Sequence, residues 1–277
     1  MKQSIIKGDC IKLMKSIKEG LADLVFADPP FNIGFKYDIY NDDRAPEEYL
    51  AWTSQWMEQV KRILKPDGSF WLAIGDAYVS ELDCLAKKIG FFRRSWVVWY
   101  YTFGQNNSIG FTSSHTHLLY YTNHPKNFNF YPDAIKVPSA RQLIYNDKRA
   151  VPTGRLPDNT WLLRPQNIED RGGFPPDHDV WHIPRVAGTF KEREGFHGCQ
   201  MPEAILARIL ASSSKQNDLV IDPFCGSGTT IVVAKKMDRK CITFDISDDY
   251  VAHSRARLAN CKGQDTIDGG NGFYATK

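Results

Sequence analysis

The sequence predicts an α/β fold built on a largely parallel sheet, and three observations carry that prediction. Apolar, β-rich runs alternate with amphipathic helical patterns along the first and last parts of the chain. Two of these runs end in short turns rich in acid, proline and glycine, Asp28-Pro29-Pro30-Phe31 and Asp222-Pro223-Phe224-Cys225-Gly226-Ser227-Gly228. Open α/β sheets place their ligands at such carboxyl strand ends. Of the 277 residues, 42% are hydrophobic and 24% charged, which allows a sizeable core and argues against wholesale disorder.

The elements follow in order. Leu24-Val25-Phe26-Ala27 reads as a buried strand. Pro46-Glu47-Glu48 opens a helix to about Leu64, with proline in the first turn and acids at the positive end. Lys65-Pro66-Asp67-Gly68 is a turn, followed by a strand from Ser69 to Ile74. Val79 to Ile89 is helical and stops at Gly90. Trp96–Tyr101 and His117–Thr122 are further strands. From His124-Pro125 to about Gly195 helical periodicity weakens, and Pro, Gly, Asn, Arg and Trp become frequent; an excursion this long is usually functional. Alternation returns with a helix from Glu203, a strand at Leu219–Asp222, a helix from Thr229 to Met237, a strand at Lys240–Asp245 and a helix from Asp248 to about Asn260. The Gly- and Asn-rich tail after Lys262 reads as loose.

Several classes are disfavoured. No apolar run approaches the roughly 18 residues of a membrane span, and mean hydropathy is −0.40. The amino-terminal residues turn polar at Gly8-Asp9, so no secretory signal is expected. Six scattered cysteines without a CxxC pair argue against a zinc site or disulfide frame and fit a reducing cytosol. With 35 basic and 32 acidic side chains the net charge is only +3, so any nucleic-acid contact must come from a local patch.

Gly226 and Gly228 permit positive φ and let a ligand approach the backbone, and the helix that starts after them offers free N–H groups. Their spacing is neither GxGxxG nor GxxxxGK[ST], which weakens a dinucleotide reading and excludes a standard P-loop. Asp245, at the end of the next strand, is placed to accept two ribose hydroxyls. The plainer alternative is a turn pair and a strand-end acid. In Asp28-Pro29-Pro30-Phe31, two prolines stiffen the backbone and leave carbonyls free to accept. The Asp28 carboxylate and the Pro29 carbonyl can take both hydrogens of a planar exocyclic amine, and Phe31 can stack on its ring. Alone, the tetrapeptide also reads as a rigid turn with Phe31 in the core.

Together these motifs resemble the amino-methylating (N6-adenine/N4-cytosine) DNA methyltransferases. The likeness is to the permuted beta class, in which the tetrapeptide precedes the cofactor loop. The resembling residues are Asp28-Pro29-Pro30-Phe31, Asp222 through Thr229, His197-Gly198-Cys199-Gln200-Met201-Pro202 and Ile6-Lys7-Gly8-Asp9-Cys10, over about 4–125 and 196–260. The resemblance implies a Rossmann-like, circularly permuted S-adenosylmethionine-dependent fold with an inserted target-recognition region. It implies a catalytic half at 1–125, the recognition insert at 126–195, a cofactor-binding half at 196–262 and a tail at 263–277. Asp28, Pro29, Pro30 and Phe31 would be catalytic. Asp222, Phe224, Gly226, Gly228 and Thr229 would line the methionine and ribose of S-adenosylmethionine, with Asp245 on the ribose hydroxyls. Asp9 and Cys10 would reach the adenine ring, and His197 and Gln200 would lie beside the cofactor's carboxylate. Met201 departs from the basic or Lys-Pro pattern usual there. Asp9 is equally an N-cap for a helix beginning near Ile11. Because the two chain ends would supply neighbouring strands, they must lie close together.

Between Lys136 and Arg164 six basic residues (Lys136, Arg141, Lys148, Arg149, Arg155 and Arg164) face two acids, with Tyr145 and Trp161 interleaved. This local patch is the expected duplex-DNA surface, against the alternative of an ordinary solvated loop. Trp181, His178 and His182 group like metal ligands but lack zinc-site spacing, so no metal is expected. The Trp99–Phe103 run and Ser113-Ser114-His115 either border a target-base pocket or pack in the core.

The resulting expectation is a site-specific DNA methyltransferase that uses S-adenosylmethionine to modify N6 of a flipped-out adenine in double-stranded DNA. The resemblance implies a cytoplasmic bacterial or phage protein, in a restriction-modification setting or alone. In the family an acid in the first tetrapeptide position goes mainly with adenine. An N4-cytosine enzyme, a catalytically silent DNA-binding module and a nucleotide-dependent oxidoreductase are the alternatives. Family members often pair, so a homodimer stays open; no stretch of sequence announces an interface.

Overall fold

The computed structural model describes residues 3–105, 108–137, 139–143, 145–161, 186, 193–263 and 265–267. Arg164, His178, Trp181 and His182 lie outside the described residues.

The strands are β1 (Gln3–Lys7), β2 (Ala22–Ala27), β3 (Leu64–Ile74), β4 (Phe92–Gln105), β5 (Ser113–Thr122), β6 (Thr160–Trp161), β7 (Leu219–Asp222) and β8 (Lys240–Asp245). They form one sheet in the order β1-β8-β7-β2-β3-β5-β4-β6. β1, β8, β7, β2 and β3 run parallel, and β5 lies antiparallel between β3 and β4. The principal helices are α1 (Cys10–Lys15), α2 (Pro46–Ile63), α3 (Val79–Ile89), α5 (Glu203–Ser213), α6 (Thr229–Lys236) and α7 (Asp248–Asn260), with a short α4 at Ala140–Leu143.

Period-two alternation divides the core between the two faces of the sheet. Along β2, Leu24 and Phe26 pack with α5, α6 and α7 residues such as Ile205, Ile231 and Val251. Ala22, Val25 and Ala27 face the other way, against Met14 of α1, Trp56 of α2 and Leu82 of α3. In β3, Trp71 and Ala73 join the first cluster and Phe70, Leu72 and Ile74 the second. Both faces of the central strands are thus covered, which is why these strands read as continuous apolar runs.

The strand order reverses between β7 and β2. β7 leads to β8 on one side, and β2 leads to β3 on the other. Two strands that diverge in this way leave a crevice at their carboxyl ends. The register Leu24↔Val220 and Val25↔Ile221 brings Asp28 and Asp222 to that crevice together. β1, from the start of the chain, pairs along its whole length with β8 near the end (Gln3↔Cys241 through Lys7↔Asp245), as the closeness of the chain ends required.

Two sequence expectations need correction. Lys65–Gly68 does not separate a helix from a strand; it is a bulge inside β3. Ala22 pairs with Leu64 and Leu24 with Ser69, so the extra residues loop out of the ladder. A side chain at Gly68 would meet Leu64 Cγ at 2.8 Å. Second, β4 and β5 extend well beyond the expected runs, because each pairs antiparallel with the other. Described residues within 126–195 also pack on the sheet. Ile135 and the half-buried Phe130 join the core, Tyr131 N–H donates to Ser212 O at 2.8 Å, and β6 adds an edge strand to β4.

The α5–α6–α7 layer is locked by a buried ion cluster. Glu203, 1% exposed, accepts from Lys236 at 2.7 Å and from Arg257 at 3.1 Å. Removing one member of such a cluster strands the rest without a counter-charge. Glu203→Ala should therefore cost about 3–5 kcal/mol of unfolding free energy, read from urea denaturation; a cost no larger than that of an exposed ion pair would mean water already screens the cluster.

Candidate cofactor and target-base site

A cavity of ≈ 520 Å³ opens at the crevice between β7 and β2. Five strand ends deliver an aspartate to its wall: Asp9 just past β1, Asp28 after β2, Asp76 after β3, Asp222 closing β7 and Asp245 closing β8. Among the described lining residues Arg44 is the one permanent cation. The pocket is therefore built to receive positive charge.

The β7–α6 turn is set by its glycines. Gly226 and Gly228 take φ values of +49° and +75°, which cost little only without a Cβ. A Cβ at Gly226 would approach His197 Nε2 to 3.1 Å, whereas one at Gly228 would meet Ser254 Cβ at 2.9 Å. The two glycines thus serve different purposes. Gly226 lines the cavity; Gly228 does not, and instead caps α6 and lets α7 pack closely. Asp245 ties the turn down, one oxygen accepting from Gly226 N–H and the other from Ser247 N–H, each at 2.9 Å. Both oxygens keep acceptor capacity toward the cavity.

Asp9 caps a helix and also reaches the cavity wall. Its side chain caps α1, accepting from Lys12 N–H at 2.9 Å, and it lines the cavity beside Cys10. Burial pushes the Cys10 thiol up to about 12, so it meets a ligand as a neutral group. Phe224 lines the wall with its ring at 5.3 Å from Trp56. Thr229 also lines it, held by Arg257 at 3.0 Å. His197 is pushed down to about 4 by burial and is neutral. Gln200 is buried and accepts from Glu194 N–H at 2.9 Å; both it and His197 border the cavity.

Asp28, Pro30 and Phe31 line the cavity, while Pro29 is buried and its side chain stays off the wall. Tyr49 Oη donates to Pro30 O at 2.8 Å and fixes the tetrapeptide from behind. Phe31 lies over Gly75, where a Cβ would come within 3.0 Å of its ring. The Asp28 carboxylate makes no hydrogen bond among the described residues. Burial, and then the nearby Asp222, push its carboxyl up to about 8. Burial likewise raises Asp222 to about 7, against hydrogen bonds from Thr230 and Phe224 N–H. Burial raises Asp245 as well, against three backbone N–H groups.

The sequence did not single out the loop after the tetrapeptide, which closes one side of the cavity. Asp42, 2% exposed, accepts from the N–H groups of Asn32, Ile33 and Phe35 at 2.8, 3.1 and 2.9 Å. This folds the loop on itself and presents Phe35, Tyr37 and Tyr40 to the pocket. Asn32 at φ +57° and the Gly34 turn were the available signals. Asp76 was missed too, although it repeats the strand-then-acid pattern of Asp28 and Asp222. The expected pocket borders Ser113, His115, Trp99 and Tyr101 do line the cavity.

The proposed DNA patch lies elsewhere, and its charges are largely paired. Lys136 bonds Asp133 at 2.6 Å, Arg141 and Arg149 share Asp147 at 2.7 and 3.0 Å, and Arg155 pairs with Asp158. Hydrogen bonds from Arg149 and Arg141 hold Asp147 well below the usual carboxylate range. Lys148 is exposed.

Residues 22–256 match the N6/N4 methyltransferase family model, described as DNA methylase. The chain belongs to the N6/N4 amino DNA methyltransferase family. It is 33% identical over 270 residues to the type II methyltransferase M.HpaI of Haemophilus parainfluenzae, covering 97% of this chain and 78% of that one. It is also 33% identical over 261 residues to the DNA adenine methyltransferase YhdJ of Escherichia coli K12, covering 92% and 82%. Among solved structures, the cytosine-N4-specific PvuII DNA methyltransferase superposes with a TM-score of 0.64 at 20% identity, covering 99% and 92%. An M1.HpyAVI–SAM complex superposes with a TM-score of 0.61 at 17% identity, covering 93% and 99%. At these identities the structures establish the shared α/β fold. No described helix is long and apolar enough to cross a membrane.

An acid whose folded-state pKa is raised stabilises the fold below its unfolded value, and the contribution is lost as pH rises through the folded value. The unliganded protein should therefore lose stability from about pH 4 to 8 as Asp28 ionises. Asp28→Asn should unfold at a higher Tm than the parent at about pH 8 and at nearly the same Tm at about pH 4. The slope difference is bounded by about 1.4 kcal/mol per pH unit. Parallel Tm–pH curves would show Asp28 ionising as an ordinary carboxylate.

Proposed function

We propose that this DNA amino-methyltransferase transfers a methyl group from S-adenosylmethionine to N6 of an adenine flipped out of double-stranded DNA, at a specific sequence. The observation that carries the reading is the Asp28 carboxylate, facing the cavity beside Phe31 with no donor bonded to it among the described residues. A half-buried acceptor left open to the cavity in this way suits a ligand that brings its own N–H groups.

The cavity fits S-adenosylmethionine on its own observations. Its wall is acidic, the cofactor carries sulfonium and ammonium charges, and Gly226 leaves room where a Cβ would crowd His197. Asp245 would hold the ribose hydroxyls, Asp9 and Cys10 the adenine side, and Asp222 with the Phe224–Gly226 turn the methionine part. Bound there, the cofactor supplies a methyl group already activated on a positive sulfur. The M1.HpyAVI and Thermus thermophilus TTHA0409 neighbours were each solved with this molecule.

The chain's own residues then position the amine. Its lone pair is delocalised into the ring, and no side chain is basic enough to deprotonate it first. Asp28 and the Pro29 carbonyl accept its two hydrogens and favour a pyramidal nitrogen whose lone pair faces the methyl. Catalysis is then positioning and electrostatics. Extruding the base costs a few kcal/mol, and stacking on Phe31 at about 1–3 kcal/mol offsets part of it. The tetrapeptide strand β2 precedes the glycine-turn strand β7, the permuted order of the beta class, and the intervening residues 126–195 supply target recognition. Adenine is favoured by the acid at position 28 and by the likeness to YhdJ. The likeness to M.HpaI favours a restriction-modification setting.

Modification mapping of genomic DNA from cells expressing the protein tests the reading. It should return N6-methyladenine within one short motif; N4-methylcytosine would overturn the adenine assignment, and unmodified DNA the transfer itself. Asp28→Ala should abolish transfer while S-adenosylmethionine affinity stays within a few-fold, and near-normal turnover would remove Asp28 from the mechanism. Asp245→Ala should weaken cofactor binding by about 1.5–3 kcal/mol, measured by calorimetry; unchanged affinity would refute its ribose role.

A further inference from the structure

Beside Phe31 stands a side-chain cluster that the amine-positioning account leaves unused. Asp76 follows Gly75, the residue beneath the Phe31 ring. Its Oδ1 lies 2.8 Å from Nε2 of both His115 and His117, and its Oδ2 accepts from Ser113 Oγ at 2.8 Å. Asp76, Ser113 and His115 line the cavity.

A carboxylate and two imidazoles within 4.8 Å of one another suggest a metal site, but the hydrogen bonds exclude it. Trp96 Nε1–H donates to His117 Nδ1 at 2.9 Å. An indole nitrogen can only donate, so His117 Nδ1 carries the lone pair. The neutral ring must then hold its proton on Nε2, where it meets Asp76. A metal would need that same Nε2 lone pair. His117 is kept neutral because burial lowers its pKa, against the opposing bond to Asp76. The chain Trp96–His117–Asp76 is therefore a fixed support running from strand β4 through β5 to the cavity.

His115 has a different position. Its Nε2 lies 2.8 Å from Asp76 Oδ1 as an ion-pair contact rather than an aligned hydrogen bond, and since two lone pairs would repel at that distance the ring proton is favoured on Nε2. Its Nδ1 is then the lone-pair nitrogen, and it has no hydrogen-bond partner among the described residues. The titratable groups facing it are Asp76 from the β3–α3 turn, His117 from its own strand and Tyr101 of β4, whose Oη donates to His115 O at 3.3 Å. The charged groups elsewhere on the cavity are Asp9, Asp28, Asp222, Asp245 and Arg44.

We propose that His115, oriented by Asp76, accepts the proton that the target amine must lose, and passes it to solvent. The inference rests on the amine-methylation reading. As the nitrogen–methyl bond forms, the carbon–sulfur bond breaks with its electron pair going to sulfur, leaving a neutral thioether. The nitrogen, now positive, releases one proton, which reaches His115 Nδ1 directly or through one water. The resulting imidazolium is paired with the Asp76 carboxylate and returns the proton to water. Asp76 is 46% exposed in its side chain and so gives the dyad an outlet.

Asp28 alone is a poor outlet. It is buried beside Asp222, and a carboxyl pushed up to about 8 keeps a proton it must shed before holding the next amine. Asp76 behaves oppositely. Burial pushes it up, but bonds from Ser113 and His117 and the adjacent imidazoles together hold it below the usual carboxylate value, so it stays anionic and steadies a protonated neighbour. Histidine is the side chain whose ordinary pKa lies nearest neutrality, which suits one that must both take and release a proton.

The test is the single-turnover rate of methyl transfer to duplex DNA against pH, from about pH 5 to 9, with S-adenosylmethionine affinity measured alongside. His115→Gln should slow transfer by about 10²-fold and abolish the near-neutral limb of the profile, with donor affinity unchanged. Asp76→Asn should act in the same direction. Added imidazole should restore part of the rate to His115→Ala, which a merely structural role would not allow. A parent-like rate and profile in His115→Gln would overturn the proposal. So would a slowed enzyme with an unaltered pH profile and no imidazole rescue, since that pattern marks lost packing. If the unaltered protein transfers no methyl group, the function reading fails and this inference with it; transfer that ignores His115 sinks the inference alone.

Discussion

Three carboxylates, the buried Asp222 and the half-buried Asp28 and Asp245, sit at the ends of three adjacent strands, and none of them bonds a cation among the described residues. That is a costly arrangement, because a buried charge without a counter-charge either shifts its pKa or destabilises the fold. The protein meets the cost in two ways. Asp222 and Asp245 are hydrogen-bonded by the backbone of the turns they organise, Phe224 N–H for the first and Gly226 and Ser247 N–H for the second. Asp28 has no such support among the described residues, and burial with the nearby Asp222 pushes its carboxyl up to about 8. The site therefore has a standing demand for positive charge and for N–H donors. A sulfonium donor and an exocyclic amine meet both demands at once.

The demand arises from topology. Parallel strands put all their carboxyl ends on one edge, and the reversal between β7 and β2 opens a crevice there. A residue just after any of these strands is directed at that crevice. Acids occupy this place after β1, β2 and β3 and at the ends of β7 and β8. The antiparallel insertion of β5 between β3 and β4 brings His115 and His117 to the same edge from the opposite direction. Acidic acceptors and the His115 imidazole thus reach one pocket by two chain directions.

Local signals served the sequence well wherever one element carried the whole message. As expected, α3 ends at Gly90, with φ +99°, and α7 spans Asp248–Asn260; the structure adds Ser247 as the cap of α7. Phe31, Gly226 and Asp245 could be nominated because a strand, a turn and a functional side chain lie within a few residues of each other. Gly228 shows the limit of such reasoning. Its positive φ was legible, but the contact that needs it is with Ser254, on a helix that folds back later in the chain. The basic run from Lys136 was legible as composition, whereas its internal pairing with Asp133, Asp147 and Asp158 is a matter of loop geometry.

By itself, the sequence determined the fold class, the strand-end motifs and the family, because each is written in contiguous residues whose periodicity and backbone chemistry are local. Tertiary structure decided the rest. It determined that Asp76 joins His115, that Trp96 selects the His117 tautomer, that Asp42 folds the loop after Phe31, and that Asp28 has no donor among the described residues. These are relations between residues far apart in the chain, and the linear pattern carries no record of which distant groups share a low-dielectric pocket. The proton affinity of a carboxylate depends on that company more than on its neighbours in sequence.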